Sequence, residues 1–459
     1  MSMVQRAGRN LFLLLALVAS GPAAAQVESP AGPVPPDLLA ARREALLARL
    51  GTAVAVVTSA QPRSIEGDYP QDSDYRESND FFYLTGLEAP GATLVLLARD
   101  SEPDSVVLYL PVRDSASERW TGPRLGPGDE ARRLAGIADM RPASARDADL
   151  RRWLGNGAPA LFVEVPLRER GACRGDPTAR PACAPLLAQI EVPGGVVVAG
   201  VSAPIEALRL VKDADELRRL REAIRITTEA HRAAAAALSP DVWEYELEAV
   251  IEYTFRRLGA ERVGFPSIVG SGPYATVLHY DRSRRQMQAG DLVVVDIGAE
   301  YGYYSADVTR TYPVSGRFTD RQRALYELVL STQQAAIDSV RPGITVARLT
   351  EIAREHMRAH SGDLCAPRTC DTYFVHGLSH WLGMDVHDVG DYATPLAAGM
   401  VLTIEPGLYI ADEEIGIRIE DDVLVTAGGH ELLSGHAPRT PSEVERLMAD
   451  TRAARALQR

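Results

Sequence analysis

Four carboxylates interrupt apolar, strand-like segments in the second half of this 459-residue chain. They are Asp296 at the end of 292–296, Asp307 eleven residues later, Glu405 at the end of 401–405, and Glu420 inside 416–425. Taken singly, an acid at the end of a strand is more often a turn or cap residue, and one inside a strand an ion-paired edge residue. Four in one region instead indicate a bound cation, because burying unpaired carboxylates is costly and a shared cation removes that cost.

Local sequence suggests how these acids could meet. Gly298 and Gly302 allow the segment between Asp296 and Asp307 to fold back as a hairpin, with the two carboxylates side by side. In the strand predicted over 416–425, period-two alternation separates two faces. One face carries Arg418, Glu420 and Asp422, and the other carries Ile417, Ile419 and Asp421.

Histidines supply the nitrogen that such a site lacks. His376, His380 and His387 crowd into HGLSHWLGMDVHDVG (376–390), and His279 ends another apolar stretch. One histidine with four carboxylates is a hard, oxygen-rich ligand set for two divalent ions, and it suits Mn²⁺ or Co²⁺ better than a structural Zn²⁺. Two such ions could share a hydroxide, activate it at neutral pH and polarise a carbonyl. The other five histidines, and two acids of the same segment, are predicted to be structural or surface residues: His231, His356, His360, His430, His436, Asp385 and Asp388.

The elements that must position these residues fall into two parts. A helix predicted over 35–50 and strands over 53–57, 93–97 and 106–110 indicate an amino-terminal α/β domain, residues 37–205. Residues 206–459 mix short strands with helices predicted over 213–238, 241–258, 319–340 and 346–360. This second part is predicted to be an α+β domain whose strands carry the chemistry.

The amino terminus predicts export. Arg6 and Arg9 precede an apolar core over 11–20 and a small-residue cleavage site that ends at Ala25, the pattern of a signal peptide over residues 1–25. An uncleaved membrane anchor is the alternative, but the core is short for a span of about 20 residues. A Pro-rich linker over 26–36 follows. We expect a periplasmic or secreted protein with no membrane segment after signal removal.

Charge and composition further limit the classes of function that the chain could have. With 49 basic and 62 acidic residues the formal net charge is −13, which argues against a general nucleic-acid binder. Lys212 is the single lysine, so Schiff-base or phosphate-loop chemistry would depend on it, and no glycine-rich loop precedes it. The four cysteines form two local pairs, Cys173 with Cys183 and Cys365 with Cys370, which favour disulfides in an exported chain. A zinc site is the weaker alternative, since neither pair has the usual spacing.

Together these segments resemble the pita-bread metallopeptidases, and among them aminopeptidase P, with prolidase as close kin. The resemblance rests on the segments 72–92 (DSDYRESNDFFYLTGLEAPGA), 119–126 (RWTGPRLG), 279–280 (HY), 293–316, 376–390, 402–410 (LTIEPGLYI) and 417–426 (IRIEDDVLVT). It covers nearly the whole chain after the predicted signal. It implies an α/β amino-terminal domain joined to a pita-bread catalytic domain, and a dimer or tetramer.

The resemblance also implies a role for each residue. Asp296 would bind one of two ions, Asp307 and Glu420 would bridge them, and His380 and Glu405 would complete the ligand set, with Glu405 also shuttling a proton. The substrate and the tetrahedral intermediate would be held by His279, His376 and His387, and Arg418 would brace the ligands. The implied ions are Mn²⁺ first, with Co²⁺ or Zn²⁺ as alternatives. The implied reaction is hydrolysis of the bond between any first residue and a following proline by a hydroxide shared between the ions.

Three other functions are weighed against this one. A prolidase would cleave only Xaa-Pro dipeptides, and Ser379 and Trp381 favour the aminopeptidase only weakly. A metal-free hydrolase of the creatinase kind is disfavoured because all five ligand positions are filled. A peptide-binding module without catalysis is disfavoured for the same reason, since such proteins typically lose ligands.

Overall fold

A computed structural model describes residues 29–62, 75–100, 103–165, 176, 178 and 181–457. The predicted signal peptide, the start of the predicted linker and Cys173 lie outside these residues. Among the helices of the described part, none is long and apolar enough to cross a membrane.

The amino-terminal half is an α/β domain around one six-stranded sheet. Its elements are α1 (Pro36–Leu50), β1 (Ala53–Thr58), α2 (Asn79–Thr85), β2 (Thr93–Ala98), β3 (Ser105–Leu110), α3 (Ser115–Thr121), α4 (Asp129–Ala135), β4 (Asp139–Pro142), α5 (Arg146–Gly155), β5 (Ala160–Val163), β6 (Val197–Gly200) and α6 (Ser202–Arg209). The strand order is β4-β3-β2-β1-β5-β6, with β1 antiparallel to β2 and parallel to β5. Ala55 and Val57 of β1 face one apolar core and Val54 and Val56 face another, so both faces of the sheet are covered. The predicted α/β architecture is confirmed.

The second half combines long helices with small antiparallel sheets. Its elements are α7 (Ala214–Ala237), α8 (Glu244–Arg257), β7 (Arg262–Val263), β8 (Ile268–Ser271), β9 (Leu292–Ile297), β10 (Ala299–Tyr301), β11 (Tyr304–Ser305), β12 (Val308–Pro313), α9 (Asp320–Ile337), α10 (Val346–Ala359), β13 (Val401–Ile404), β14 (Gly407–Ile410), β15 (Ile415–Arg418), β16 (Asp421–Thr426), β17 (Gly429–Leu432) and α11 (Pro441–Leu457). The sheets have the orders β12-β9-β8, β13-β16-β17, β11-β10-β7 and β14-β15. This is the predicted α+β catalytic architecture.

The predicted fold-back between Asp296 and Asp307 is present. β9 and β12 are antiparallel, with Thr309 paired to Asp296, and the short strands β10 and β11 form the tip of the excursion between them. At Gly298 a Cβ atom would lie 1.9 Å from the carbonyl oxygen of Ala306, so only glycine fits where the chain doubles back.

The strand predicted over 416–425 is instead two strands. β15 pairs with β14, β16 pairs with β13, and the backbone N–H of Glu420 between them donates to the carbonyl of Thr309 at 3.1 Å. The chain changes partners at this point, which the sequence pattern does not reveal. The predicted division of faces nevertheless holds for Glu420 and Asp421, because Glu420 lines the cavity described below and Asp421 pairs with Arg310 instead.

The described part of the predicted linker is packed rather than free. Ala31 and Val34 are buried, and the hydroxyl of Tyr301 donates to the carbonyl of Pro30 at 2.9 Å. Residues 29–35 therefore lie against the second half of the chain before α1 begins.

Candidate metal centre

A cavity of about 530 Å³ opens between the strands of the second half. Every site residue predicted from the sequence lines it: His279, Asp296, Asp307, His376, His380, His387, Glu405, Arg418 and Glu420. Part of its wall is apolar, formed by Phe265, Pro266, Ile268, Leu278 and Val386. The cavity therefore joins a polar centre to a surface that could contact an apolar part of a ligand.

Three side chains from separate segments form the polar centre. Ligand atoms of Asp307, His380 and Glu420 all lie within 4.8 Å of one another. Nε2 of His380 is 3.3 Å from Oδ2 of Asp307, 3.7 Å from Oε1 of Glu405 and 3.9 Å from Oε1 of Glu420. One imidazole nitrogen thus faces three carboxylates, as the proposed ligand set requires.

The orientation of the imidazole is fixed from its other side. Nδ1 of His380 lies 3.1 Å from the carbonyl oxygen of Trp381, and the backbone N–H of His380 donates to Oγ1 of Thr403 at 3.2 Å. A proton on Nδ1 leaves Nε2 free to act as a ligand, the usual arrangement for a metal-binding histidine.

The carboxylate oxygens of this centre fit a cation. Oδ1 of Asp296, Oδ1 of Asp307 and Oε1 of Glu420 are buried and find no hydrogen-bond partner among the described residues. Burial raises the pKa of Asp307 and Glu420 far above the usual carboxyl range, and the neighbouring carboxylates raise it further. Ionised acids this close together need a compensating positive charge, which divalent cations bound to the free oxygens would provide.

Asp296 is held by a cation of the chain itself. Nη2 of Arg418 donates to Oδ2 of Asp296 at 2.6 Å, and Nε of Arg418 donates to Oγ1 of Thr309 at 3.2 Å. Thr309 in turn donates to Oε2 of Glu420 at 2.7 Å. Arg418 therefore touches one proposed ligand directly and another through Thr309, contacts that the bracing role expected for it would need.

His376 lies at the edge of the cluster. Its Nε2 is 2.9 Å from the hydroxyl of Tyr409, and its Nδ1 is 2.7 Å from the carbonyl of Gly377 and 3.7 Å from Oε2 of Glu405. Burial, with Arg418 nearby, lowers the pKa of His376 to about 4. The ring is thus neutral at neutral pH, with one N–H that donates and one nitrogen that accepts, and both nitrogens face partners of the chain.

His387 and His279 line the same cavity. The rings of His387 and His380 are 4.2 Å apart between centroids. Burial, with His380 and His279 nearby, lowers the pKa of His387 to about 4. His387 is therefore also an uncharged group beside the proposed ligands.

Two residues of this network were not identified from the sequence. Tyr409 joins His376 to Arg418, since its hydroxyl accepts from Nη1 of Arg418 at 3.0 Å. Thr309 joins Arg418 to Glu420. Period-two spacing along β12 from Asp307 could have found Thr309, whereas Tyr409 follows a proline and a glycine that obscure its register.

A disulfide closes the loop that leads to His376. Cys365 and Cys370 are bonded, and both are buried. Arg354 of α10 donates to the carbonyls of Asp371 and His376, at 3.3 and 3.2 Å. The predicted pair Cys365–Cys370 is therefore confirmed, while its counterpart involves Cys173, outside the described residues.

Comparison with known proteins agrees with this geometry. Residues 39–162 match the aminopeptidase P amino-terminal domain, and residues 218–427 match metallopeptidase family M24. The Xaa-Pro aminopeptidase of Escherichia coli K12 is 36% identical over 439 residues, which cover 90% of this chain and 97% of that protein. The chain belongs to the aminopeptidase P branch of metallopeptidase family M24. Rat Xaa-Pro aminopeptidase 3 is 31% identical over 87% of this M24 chain and 82% of its own length.

Solved structures of the family have the same fold. Escherichia coli aminopeptidase P with the inhibitor Pro-Leu superimposes with a TM-score of 0.81 at 34% identity, over 92% of this chain and all of that one. A Zn-substituted form of the same enzyme with product gives 0.80 at 33% identity, with the same coverage. The pita-bread fold of this M24 chain, expected from the resemblance, is thereby confirmed.

Proposed function

We propose that this chain is a Xaa-Pro aminopeptidase that holds two divalent metal ions and releases the first residue of peptides with proline in second position. The observation that carries the proposal is the convergence of Asp307, His380 and Glu420 within 4.8 Å, with unpartnered carboxylate oxygens directed into one cavity. The Escherichia coli and rat relatives carry this activity in their names. Xaa-Pro bonds need a dedicated enzyme because proline lacks an N–H and fixes φ.

Asp296, Asp307, His380, Glu405 and Glu420 would hold the ions. Their oxygen-rich composition favours Mn²⁺, with Co²⁺ or Zn²⁺ as alternatives. Bound there, divalent ions would lower the pKa of water and polarise the scissile carbonyl.

The remaining residues would bind the peptide and move protons. Glu405 lines the cavity beside the cluster, with Oε2 3.7 Å from Nδ1 of His376, so its carboxylate is placed to take and return a proton. We assign to Glu405 the transfer of a proton to the leaving proline nitrogen. His387, which is neutral, would donate to the substrate carbonyl as charge develops on its oxygen, and His376 would help to hold the peptide.

Proline specificity is tested with matched peptides. Mn-loaded enzyme is offered Xaa-Pro-Leu, the dipeptide Xaa-Pro and Xaa-Ala-Leu, with release of the first residue measured by chromatography. We expect cleavage of the tripeptide with kcat/KM at least about 10²-fold above that of the alanine peptide. Cleavage of the dipeptide alone would identify a prolidase instead. Equal rates for the proline and alanine tripeptides would refute proline specificity.

We further propose that the protein is exported and oligomeric. The leader pattern over residues 1–25 and the Cys365–Cys370 disulfide support export, since disulfides persist in oxidising compartments. A mature protein that begins at Gln26 in the periplasm or medium is the expected result, and an uncleaved cytosolic chain would refute export.

A dimer or tetramer is proposed from the family resemblance, and a monomeric mass by light scattering would refute this oligomeric state.

A further inference from the structure

A buried ionic cluster outside the cavity joins three separate parts of the chain. Arg209, the last residue of α6, donates from Nη1 to Oδ1 of Asp80 at 2.7 Å and from Nη2 to Oδ1 of Asp388 at 2.6 Å. Nζ of Lys212 donates to Oδ2 of Asp388 at 3.1 Å. These four side chains are each at most 2% exposed, and we call them the buried clamp.

The clamp calls for an explanation other than stability. Taking ions out of water costs several kcal/mol each, so well-packed apolar residues are often as stabilising as a buried ion pair. The clamp also contains Lys212, the single lysine of the chain. What such a cluster does well is to fix one arrangement of the segments that it joins.

The segment fixed most completely is the loop that carries His387. Both carboxylate oxygens of Asp388 are held by the clamp, and its backbone N–H donates to the carbonyl of Trp381 at 2.9 Å. At Gly383 a Cβ atom would lie 2.1 Å from Oδ2 of Asp388, so the two ends of the loop touch. The residue directly before Asp388 is His387, whose ring lines the cavity beside His380.

The amino-terminal domain also holds this loop. Asp80 lies in α2 and reaches the loop through Arg209. Nη2 of Arg76, three residues before the start of α2, donates to the carbonyl of Met384 at 3.0 Å. A second acid of the loop, Asp385, accepts from Nη2 of Arg209 at 3.1 Å.

We propose that Asp388 is a positioning residue that, held by Arg209 and Lys212, fixes His387 against the bound peptide, and that Asp80 makes this placement depend on the amino-terminal domain. The inference rests on the proposed function, because His387 matters only if a peptide occupies the cavity. Asp388 itself does not line the cavity and acts through its neighbour.

A double-mutant cycle tests the proposal. Asp388→Asn is made in the wild type and in a His387→Ala variant, and Mn-loaded proteins are compared on Xaa-Pro-Leu and for affinity toward the dipeptide Pro-Leu. We expect Asp388→Asn to lower kcat/KM about 10- to 100-fold in the wild type and less than about 2-fold when His387 is absent. Asp80→Asn should show the same pattern with a smaller loss, and it leaves Lys212 paired with Asp388. The exposed pair Arg221–Glu431 supplies a control, Arg221→Gln, with unchanged kinetics.

Non-additive losses of kcat/KM, measured at a temperature at which every variant remains folded, support the clamp. Equal losses from Asp388→Asn in both backgrounds would show a merely structural role and overturn the proposal, as would wild-type kinetics for Asp388→Asn. If Asp388→Asn fails to fold, the cycle with Asp80→Asn decides by the same criterion. A wild type that cleaves no proline peptide would refute the proposed function instead, and the Pro-Leu affinities would still test the clamp.

Discussion

Glu420→Gln should lose bound metal and peptide hydrolysis together while the chain remains folded. Oε1 of Glu420 is a buried oxygen with no partner in the described part of the chain, 3.9 Å from Nε2 of His380. The amide retains the size of the side chain but removes its negative charge. Replacing a residue that only orients a metal ligand typically lowers metal affinity or activity about 10- to 100-fold. Because Glu420→Gln replaces a proposed ligand itself, we expect kcat/KM to fall by about 10³-fold or more.

Without metal, the Glu420→Gln variant should be at least as stable as the wild type, although it has lost a buried side-chain charge. Burial and neighbouring carboxylates raise the pKa of Glu420 in the metal-free protein, so its charge is unfavourable there. The metal-free variant should therefore melt no lower than the metal-free wild type, and Mn²⁺ should raise the melting temperature of the wild type alone. Asp307→Asn should behave in the same way, because burial and Asp296 raise the pKa of Asp307 similarly.

Metal content by mass spectrometry, kinetics and thermal melts measure these effects on one set of samples. Glu431→Gln, at a side chain that is 46% exposed, is the matched control and should change none of them. Normal turnover of Glu420→Gln at wild-type metal content would show that Glu420 is not a ligand.

Asp421→Asn should cause the largest loss of stability. The ion pair between Asp421 and Arg310 is fully buried, with Oδ1 2.7 Å from Nη2. Arg310 also donates from Nη1 to the carbonyls of Thr309 and Glu420, at 2.8 and 2.6 Å. Neutralising Asp421 leaves the guanidinium charge buried without its partner, so we expect the free energy of unfolding to fall by about 3–5 kcal/mol.

Urea unfolding at neutral pH measures this loss. Replacing both partners, with Arg310→Met and Asp421→Leu, should recover only part of it: the buried charge of Arg310 is then gone, but Arg439, whose Nε lies 3.0 Å from Oδ2 of Asp421, also loses its partner. The exposed pair Arg348–Glu351 provides the control, and Glu351→Gln should change stability by less than about 0.5 kcal/mol. If Asp421→Asn unfolds at the same urea concentration as the wild type, Arg310 must have another counter-ion.

Much of the candidate site could be predicted from local sequence patterns, because its residues differ in type from their neighbours in the chain. Asp296, Asp307 and Glu420 stand out because they are acids within apolar stretches of sequence. Gly298 marks the fold-back, because only glycine fits this close to the carbonyl of Ala306. Asp388, predicted to be structural, is buried and ion-paired with Arg209 and Lys212.

What the sequence did not predict depends on contacts between distant segments. The break between β15 and β16 follows from pairing with two different strands, and no local residue signals it. The link from Asp80 to Asp388 spans about 300 residues of chain and is visible only once the domains are folded together. Periodicity reports which face a residue lies on, and it does not report what that face meets.

Counting metal ions in the active enzyme tests the central claim most directly. The protein is stripped of metal, titrated with Mn²⁺, and followed by bound equivalents and by hydrolysis of Xaa-Pro-Leu. The convergence of Asp307, His380 and Glu420, with Asp296 and Glu405 beside them, predicts two bound equivalents per chain and activity that rises with their binding. Full activity with one equivalent or less bound would contradict the account.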